Sequence, residues 1–424
     1  MTATVPVRDL ASAPLDVFIV GAGIIGLAAA HKLQQAGRQV VVIDRSGIAA
    51  EASAGNAGGL AFSDVLPLAV SGKLLKVPGW LIDPLGPLSV PPRYFPRVLP
   101  WLLRFWRAGW PDRVKQSIAA QSAMMRLAAS EMEAMVAACR LDHMIRRDGS
   151  LELYESEAEL TAAEPGWRAR AEEGIVFEHV RGERLAELQP GLAPRFIAGT
   201  FVPSWQSVTD PRAFAHALAD DVAARGGRFA TGAVTALVPM EGGVRIVLEG
   251  GEMLSAAHVV VAAGAWSKRL TAPLGDAVPL ETERGYNTTL PKGAFDLRRQ
   301  LIFGEHGFVI SVLDCGIRVG GAVELGGLDL QPNYRRAEAM LKKAAAFLPG
   351  LKTEGGTQWM GFRPSLPDSL PAVGPSRASP RIVYAFGHGH LGLTQAAGTG
   401  RLVSDLVVGR APAIGLAPFS PQRF

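Results

Sequence analysis

The most regular pattern of hydrophobic and polar positions lies near the start of the chain. An apolar, largely β-branched run at 16–20 (DVFIV) predicts a buried strand. The sequence LAAAHKLQQAG, which ends at Gly37, has the spacing of a helix, and a second apolar run at 39–43 predicts another strand followed by Asp44. The start of the chain is therefore expected to form a strand–helix–strand unit with parallel strands.

Later hydrophobic runs predict a second kind of sheet. Residues 281–330 contain three runs with the alternation of strands, namely RGYNTTL, FVISVL and GIRVGGAVEL. Asp210 and Pro211 predict a helix start, because Asp caps a helix well and Pro suits its first turn. Residues 351–375 are expected to form a loop. The other predicted strands are 150–154, 228–238, 244–248, 258–263 and 382–386, and the predicted helices are 112–139, 157–173, 210–225 and 395–408.

Length and composition favour a globular protein of several domains. The 424 residues are 48% hydrophobic and 19% charged, which suggests about two to three domains with sizeable cores. Cys139 and Cys315 are too few for a disulfide scaffold or a zinc cluster, and they fit a reducing compartment. The net charge of +4, without a clustered basic tract, argues against nucleic-acid binding. Because no uninterrupted apolar run is long enough to predict a transmembrane helix, we expect a cytoplasmic protein.

The segment 65–110 leaves a second location open, at the surface of the cell membrane. It contains half of the eight Trp residues, interleaved with Lys and Arg, and its prolines are expected to break it into short pieces. Aromatic rings flanked by cations suit the headgroup region of a membrane. Peripheral contact with the inner face of the cell membrane, contact with a partner, and packing on the segment's own domain all stay open.

The turn after the first strand has the spacing of a dinucleotide-binding fingerprint. Gly21, Gly23 and Gly26 form the pattern G-x-G-x-x-G, and Asp44 follows the second strand. The first glycine permits a tight turn, the second lets a pyrophosphate approach the backbone, and the third lets helix and strand pack closely. The helix N-terminus offers N–H groups to the phosphates. With both strands and the acidic residue in place, the pattern predicts a Rossmann-type dinucleotide site.

The segment after Asp44 favours a flavin over a nicotinamide cofactor. Regular alternation of strands and helices stops near Leu60, and the segment 45–60 (RSGIAAEASAGNAGGL) is rich in small residues that can run beside a flat ring system. Near the end of the chain, a predicted strand at 382–386 leads into a second glycine-rich turn, GHGHLGLT, at 387–394. We therefore expect a cofactor domain that is built from separate stretches of the chain.

With these motifs the chain resembles the D-amino-acid oxidase and dehydrogenase family of FAD enzymes, especially its bacterial D-amino-acid dehydrogenase branch. The resemblance covers nearly the whole chain and rests on GAGIIG, SAGNAGGL, ERGYNTTL, RVGGAVELGG, GFRPSLPDSLPAVGPS and FGHGHLGLTQAAGTG. It implies an α/β fold with a discontinuous, Rossmann-like FAD-binding domain at 1–62, 183–278 and 355–424. The remaining stretches, 63–182 and 279–354, would form an α+β substrate domain with a mixed, largely antiparallel sheet.

The resemblance also implies which residues bind FAD. The first glycine turn would hold the pyrophosphate, Asp44 the adenosine ribose, and residues 56–60 the isoalloxazine ring. We expect non-covalent FAD, because no cysteine stands beside Arg363, where sarcosine-oxidase relatives carry the one that links their flavin. The full implied set is Gly21, Gly23, Ile25, Gly26, Asp44, Arg45, Ser53, Asn56, Ala57, Gly58, Gly59, Leu60, Val234, Gly264, Trp266, Gly389, His390, Leu391, Gly392, Leu393 and Thr394.

Substrate recognition is implied for Arg363, Tyr286 and His390. The arginine of the R-P motif binds the substrate carboxylate in this family, and a planar guanidinium grips a carboxylate with two hydrogen bonds while it stays charged. Tyr286 is expected to be a second carboxylate or pocket contact, although a strand aromatic could equally belong to the core. His388 and His390 would shape the pocket, or be held by hydrogen bonds within the glycine-rich loop. No metal ligand is predicted.

The reaction that the resemblance implies is the oxidative deamination of a D-amino acid. A hydride would pass from the α-carbon of the neutral amine to flavin N5, and water would hydrolyse the imine to the keto acid. The electrons would pass to a quinone or another acceptor, and D-proline or hydroxy-D-proline are candidate substrates. Two alternatives stay open: an oxidase of glycine, sarcosine or another small amine that uses oxygen, and the flavin subunit of a multi-subunit amine dehydrogenase.

Overall fold

The computed structural model describes residues 2–10, 15–69 and 86–424. The helices in these ranges are α1 Ile24–Gln35, α2 Phe95–Ala108, α3 Pro111–Ala138, α4 Glu157–Glu172, α5 Gly182–Leu188, α6 Pro211–Ala224, α7 Ser267–Thr271, α8 Arg335–Phe347 and α9 Gly392–Val408. The strands are β1 Leu15–Val20, β2 Val40–Asp44, β3 Gly59–Leu60, β4 Leu88–Ser89, β5 Ile145–Arg146, β6 Ser150–Tyr154, β7 Glu178–Arg181, β8 Ala198–Val202, β9 Gln206–Val208, β10 Arg228–Thr231, β11 Val234–Met240, β12 Gly243–Leu248, β13 Met253–Val261, β14 Glu281–Leu290, β15 Gln300–Phe303, β16 Phe308–Leu313, β17 Gly316–Leu325, β18 Thr357–Ser365, β19 Ala372–Pro375 and β20 Ile382–Phe386.

The first sheet has a parallel centre. Strands β10, β2, β1, β13 and β20 run parallel in that order, while β12, β11 and β19 are antiparallel additions. The central strand β1 is an apolar run that is buried along almost its whole length, as expected for a strand with covered faces. Helices α1 and α9 pack against each other, and α6 and α3 add to this layer. The strand–helix–strand unit predicted at the start of the chain is therefore confirmed.

The second sheet is mixed and largely antiparallel. Its order is β18-β14-β17-β16-β15-β6-β8-β7, with β4 added to β17. Among its described strands, only the β15–β6 and β17–β4 pairs are parallel. This arrangement confirms the predicted fold class, a Rossmann-like domain beside an α+β domain.

The predicted helix start at Asp210 is also confirmed. The Oδ1 atom of Asp210 accepts hydrogen bonds of 2.9 Å from the N–H groups of both Arg212 and Ala213. Pro211 is the first residue of α6, where its missing N–H costs nothing because that group has no partner within a helix. Asp210 therefore fixes the point at which the chain enters the helical layer.

The prediction of a loop at 351–375 is wrong. Residues Thr357–Ser365 form β18, which pairs with β14 along nine residues, and Ala372–Pro375 form β19. The stretch contains the Arg363-Pro364 pair, and proline is rare within strands. However, β18 is the edge of its sheet, and an edge strand tolerates a proline since one side of it needs no ladder hydrogen bond.

The expectation that prolines break 65–110 into short pieces is wrong for its last part. Phe95–Ala108 is one helix, α2, although it contains Pro96 and Pro100. Pro96 falls in the first turn, where it breaks no helical hydrogen bond. Residues 70–85, with Trp80, lie outside the described residues. None of the described helices combines the length and the apolar character that crossing a bilayer requires.

The two sheets divide the chain differently from the predicted domains. Strand β8 lies in the predicted FAD-binding stretch 183–278 and β18 in the stretch 355–424, yet both belong to the second sheet. Helix α3, from the predicted substrate stretch, packs on α9. The predicted domain boundaries concern folding units and remain a prediction. The second sheet takes strands from stretches that those boundaries assign to both domains.

Candidate active site

A cavity of about 1140 Å³ lies between the two sheets. It is larger than a typical pocket for one drug-sized ligand, roughly 300–1,000 Å³. Most of the predicted cofactor residues line it, as do Arg363 and Tyr286. The predicted residues that do not line it, Gly26, Gly58, Leu60 and Thr394, are part of its supporting structure.

The glycine turn at one end of the cavity leaves no room for side chains. Gly21 has a φ of +113°, and a Cβ atom there would lie 2.3 Å from the carbonyl oxygen of Ala262. A Cβ at Gly26 would lie 1.9 Å from the carbonyl oxygen of Gly21, so this glycine allows α1 to pack on the turn. At Gly23 the nearest atom would be Ser53 Oγ at 3.3 Å. The turn therefore presents open backbone to the cavity.

Asp44 organises this turn through backbone hydrogen bonds. Its Oδ2 accepts from the N–H of Ala22 at 2.8 Å, and its Oδ1 accepts from Ser46 at 2.8 Å and Gly47 at 3.1 Å. The neighbouring Arg45 places its guanidinium 3.6 Å from the centre of the Trp266 ring. The contact of Asp44 with a ribose stays a prediction, and the structure adds that this carboxylate holds the strand ends together.

The small-residue segment that follows β2 is held against the second sheet by two side chains that sequence reasoning missed. Arg318, on β17, donates from Nη1 to the carbonyl oxygens of Ala54 and Asn56. Asn287, on β14, donates from Nδ2 to the carbonyl oxygen of Gly55 at 3.1 Å. Burial lowers the pKa of Arg318 from its usual value. The alternation of β14 and β17 could have shown which of their side chains share a face. It could not have shown which distant segment covers that face.

The second glycine-rich turn closes the cavity beside β20. Gly387 and Gly389 have φ values of +87° and +55°. His388 between them is 3% exposed, its Nε2 lies 2.9 Å from Thr399 Oγ1, and burial lowers its pKa to about 3. This imidazole is therefore neutral at physiological pH and supports the turn.

His390 and Thr394 have different surroundings. The Nε2 atom of His390 lies 3.1 Å from the Oδ2 atom of Asp64, and the ring lines the cavity. Thr394 is buried, and its hydroxyl accepts a 3.0 Å hydrogen bond from the N–H of Ala61. Thr394 thus joins α9 to the segment after β3, and the predicted part of His390 in binding stays a prediction.

Arg363 brings a positive charge into the cavity. Its Nη1 donates to the carbonyl oxygen of Ala322 at 2.9 Å, and its Nη2 donates to that of Gly321 at 3.3 Å. Burial lowers the pKa of this guanidinium, and the nearby Glu283 carboxylate acts in the opposite direction. Among the described residues, no carboxylate lies within 4.0 Å of it. Because arginine stays charged under such conditions, the cavity holds a cation that is free to take an anionic ligand.

Tyr286 lies on the opposite face of β14 from its neighbours Gly285 and Asn287. Its ring is 1% exposed and packs in the core of the second sheet. Its hydroxyl donates to Glu324 Oε2 at 2.6 Å and accepts from the N–H of Asn333 at 3.0 Å. Burial raises the pKa of this hydroxyl to about 12. The predicted carboxylate contact of Tyr286 stays a prediction, and the hydroxyl's hydrogen bonds in the structure are with Glu324 and Asn333.

Comparison with known proteins identifies relatives over nearly the whole chain. Residues 16–406 match the family described as DAO, FAD dependent oxidoreductase. The chain is 38% identical over 417 residues to a D-amino-acid oxidase from Bradyrhizobium diazoefficiens, which covers 96% of this chain and 98% of the relative. It is 30% identical over 420 residues to a D-amino acid dehydrogenase from Rhizobium johnstonii. That match covers 97% of this chain and 100% of the relative. The predicted resemblance is therefore confirmed.

The fold is similar to that of a solved flavoenzyme. The crystal structure of glycine oxidase from Geobacillus kaustophilus superimposes with a TM-score of 0.77, at 22% identity, over 96% of this chain and 98% of that one. This likeness concerns the fold, and it agrees with the pair of sheets described above.

The residues of the cavity fit FAD, the cofactor of the matched family. The glycine turn at Gly21 and Gly23 gives a pyrophosphate room beside the N-terminus of α1. The cavity is continuous from Val234, a member of the implied FAD-binding set, through Gly264 to the second glycine turn at Gly389. Neither of the two free cysteines lines it. The arrangement therefore suits an elongated dinucleotide with a flat ring at its inner end.

Proposed function

The chain belongs to the DAO family of FAD-dependent oxidoreductases, and we propose that it catalyses the oxidative deamination of D-amino acids. The observation that carries this proposal is the guanidinium of Arg363, which faces the cavity and, within the described ranges, has backbone carbonyls as its hydrogen-bond partners. Such a cation is suited to the α-carboxylate of an amino acid. The D configuration is proposed because both relatives described above are named for D-amino acids.

In this proposal the side chain of Arg363 positions the substrate. Two of its five N–H groups are used by Gly321 and Ala322, so three remain to grip a carboxylate. The chemistry that FAD supplies when bound is the acceptance of two electrons, which the oxidation of a C–N single bond to an imine requires. The protein then has to hold the α-carbon in place, and such transfer depends more on positioning than on a dedicated base.

Apolar side chains around the same end of the cavity would exclude water from the reacting bond. Trp359, Phe303 and Val309 line it together with Arg363. The Trp359 ring packs so closely on Gly55 and Gly361 that a Cβ atom at either glycine would lie about 2 Å from it. We propose that this wall accommodates the substrate side chain.

Product analysis tests the proposed function and separates it from its alternatives. Purified enzyme with FAD and an artificial quinone acceptor is offered D- and L-methionine, D-proline, hydroxy-D-proline, glycine and sarcosine. We expect keto acid or cyclic imine from the D-amino acids only, without oxygen uptake. Oxygen uptake with glycine or sarcosine would favour the oxidase, and a flavin-loaded protein that oxidises none of them would favour a subunit of a larger dehydrogenase.

We propose in addition that α2 touches an anionic membrane surface. Its exposed large side chains include Leu99, Leu103 and Trp106, which are 40%, 56% and 56% exposed. Arg104 and Arg107 lie on the same short helix. An apolar face with cationic neighbours is the composition of helices that lie in the headgroup region. A quinone acceptor dissolved in the bilayer would then be within reach of the enzyme.

Sedimentation with vesicles tests this contact. We expect the protein to sediment with vesicles that contain phosphatidylglycerol and to stay in the supernatant with phosphatidylcholine alone. A Leu103→Ser, Trp106→Ser variant is expected to lose the association. The matched control, Val238→Ser with Met253→Ser, removes two exposed apolar side chains at the first sheet and is expected to sediment as before. Equal sedimentation of both variants would contradict the proposal.

A further inference from the structure

Glu283 is a buried carboxylate that lacks a protein partner. Its side chain is 4% exposed, yet it lines the same cavity as Arg363. No hydrogen bond joins its carboxylate to any described residue, and no cationic nitrogen of those residues lies within 4.0 Å of it. The carboxylate faces the cavity, and a ligand that displaced water from it without a hydrogen bond in return would leave a costly unpaired charge.

Two other buried acidic groups, one in each sheet region, have partners. Glu324 pairs with Arg284 at 3.0 Å and accepts from the Tyr286 hydroxyl at 2.6 Å. Asp276 accepts from the hydroxyls of Ser376 and Tyr384 at 2.6 and 2.8 Å. Glu283 therefore differs from them in having its acceptor positions unused, and those positions open onto the cavity.

The register of the strands places Glu283 beside the cation of the site without pairing the two. Glu283 on β14 lies directly opposite Arg363 on β18, so both side chains project to the same face of the sheet. The guanidinium of Arg363 extends along the sheet to Gly285 and to the carbonyl oxygens of Gly321 and Ala322. One wall of the cavity thus carries a positive and a negative group, and each is open to a ligand.

We propose that Glu283 binds an amino group of the amino-acid substrate, protonated when the substrate enters, while Arg363 binds its carboxylate; an α-ammonium bound in this way passes its extra proton to the Glu283 carboxylate before the α-carbon loses hydride. This inference rests on the proposed function, because it assigns the second charged group of the same substrate. The α-amino group and a side-chain amino group have the same chemistry, so either can be the partner. Both would complete the hydrogen bonding of a carboxylate that the protein leaves unsatisfied.

A charge-neutral variant of similar shape tests the proposal. Glu283→Gln is compared with wild type on D-lysine and on D-norleucine, which has the same chain length without the terminal amino group. If the side-chain amino group is the partner, kcat/KM falls about tenfold or more for D-lysine alone. If the α-amino group is the partner, it falls by that factor for both. Unchanged kcat/KM for both substrates would overturn the proposal.

Binding of a ligand without turnover gives a second measurement, independent of activity. Hexanoate carries the carboxylate but no amino group, so Glu283 repels it in wild type. We expect Glu283→Gln to bind hexanoate about tenfold more tightly, measured by calorimetry on the FAD-loaded enzyme. Weaker binding of hexanoate would contradict the proposal, since general damage to the site would weaken the binding of amino acids and of hexanoate alike.

Glu281→Gln is the matched control. Glu281 lies two residues away on the same strand, and its carboxylate accepts from the Tyr94 hydroxyl at 3.0 Å and does not line the cavity. We expect this variant to keep the substrate preference and the hexanoate affinity of wild type. If Glu283→Gln does not retain FAD, Glu283→Met, which has a similar length and no charge, takes its place.

Failure of the inference is distinguishable from failure of the proposed function. If wild-type enzyme oxidises none of the D-amino acids, the proposed function fails. If wild type oxidises them and the Glu283 variants match it in kcat/KM and in hexanoate affinity, the proposed function stands and the role of Glu283 is wrong.

Discussion

The guanidinium of Arg363 lies against the backbone of Gly285, so closely that a Cβ atom at Gly285 would be 2.3 Å from Nη2. The two residues are on adjacent strands of the second sheet. The missing side chain at 285 provides the space in which the cation reaches the carbonyl oxygens of Gly321 and Ala322. A glycine in the ERGY sequence is thus part of the proposed substrate site although it contributes no functional group.

Gly285→Ala should therefore weaken substrate binding without removing any charge. The added methyl group must displace the end of a flexible side chain, which costs little stability but moves the guanidinium. We expect KM for D-methionine to rise about tenfold, corresponding to about 1.4 kcal/mol, with little change in Tm. Gly415→Ala, where a Cβ atom meets nothing within 4 Å, is the control. An unchanged KM in Gly285→Ala would contradict the positioning described here.

Replacement of Arg363 tests the carboxylate site itself. Arg363→Ala is expected to raise KM about 100-fold, because hydrogen bonds to a charged group contribute about 1.5–3 kcal/mol. The KM of Arg363→Lys should lie between those of wild type and Arg363→Ala, since lysine keeps the charge but loses the two-pronged geometry. Steady-state kinetics on flavin-loaded protein measure both variants. A near-normal KM in Arg363→Ala would show that the carboxylate binds elsewhere.

Loss of the turn at Gly21 should release the cofactor. An alanine there would be strained by a φ of +113° and would overlap the carbonyl oxygen of Ala262. We expect Gly21→Ala to lose at least about 1 kcal/mol of stability and most of its bound FAD. The ratio of flavin to protein absorbance after gel filtration measures retention. Full retention in this variant would show that the turn is not part of the flavin site.

His388 makes stability depend on pH. Burial lowers its pKa to about 3 in the folded protein, against roughly 6.5 when unfolded. Between these values only the unfolded state binds the proton, so stability falls as pH falls below 6.5. For this group we expect a loss of about 2 kcal/mol at pH 5 relative to pH 7.5.

Urea unfolding at the two pH values measures this loss. His388→Gln cannot titrate, and its amide can still bond to the hydroxyl of Thr399. The variant should therefore show a smaller difference between pH 7.5 and pH 5 than wild type. The same difference in both proteins would mean that His388 is accessible to protons when folded.

Local sequence patterns were sufficient for the elements that hold the cofactor. Strand β1, the turn at Gly21, helix α1 and Asp44 follow each other along the chain, so hydrophobic periodicity and glycine spacing predict them together. The same holds for β20 and the turn at Gly389. Even there, the bonds of Asp44 to three backbone N–H groups could not be predicted, because they depend on the strand ends meeting.

The substrate end depends on contacts between distant parts of the chain. The stretch around Arg363 and Pro364 was predicted to be a loop, whereas pairing with β14 makes it a strand. Tyr286 and Glu283 lie three residues apart on one strand, so strand alternation places them on opposite faces, and only the packing of the sheet determines that Tyr286 joins the core while Glu283 faces the cavity. The sequence indicates that both are polar residues of a strand. It does not indicate which face of the strand is covered, or which part of the chain covers it.

The central claim is that D-amino acids reduce the flavin of this protein, and the visible spectrum measured without oxygen tests it most directly. FAD-loaded enzyme is titrated with D-methionine and, separately, with L-methionine. We predict that the flavin band bleaches with the D enantiomer and not with the L enantiomer, and that Arg363→Ala needs about 100-fold more substrate to reach the same bleaching. A flavin spectrum that no D-amino acid changes would contradict the account.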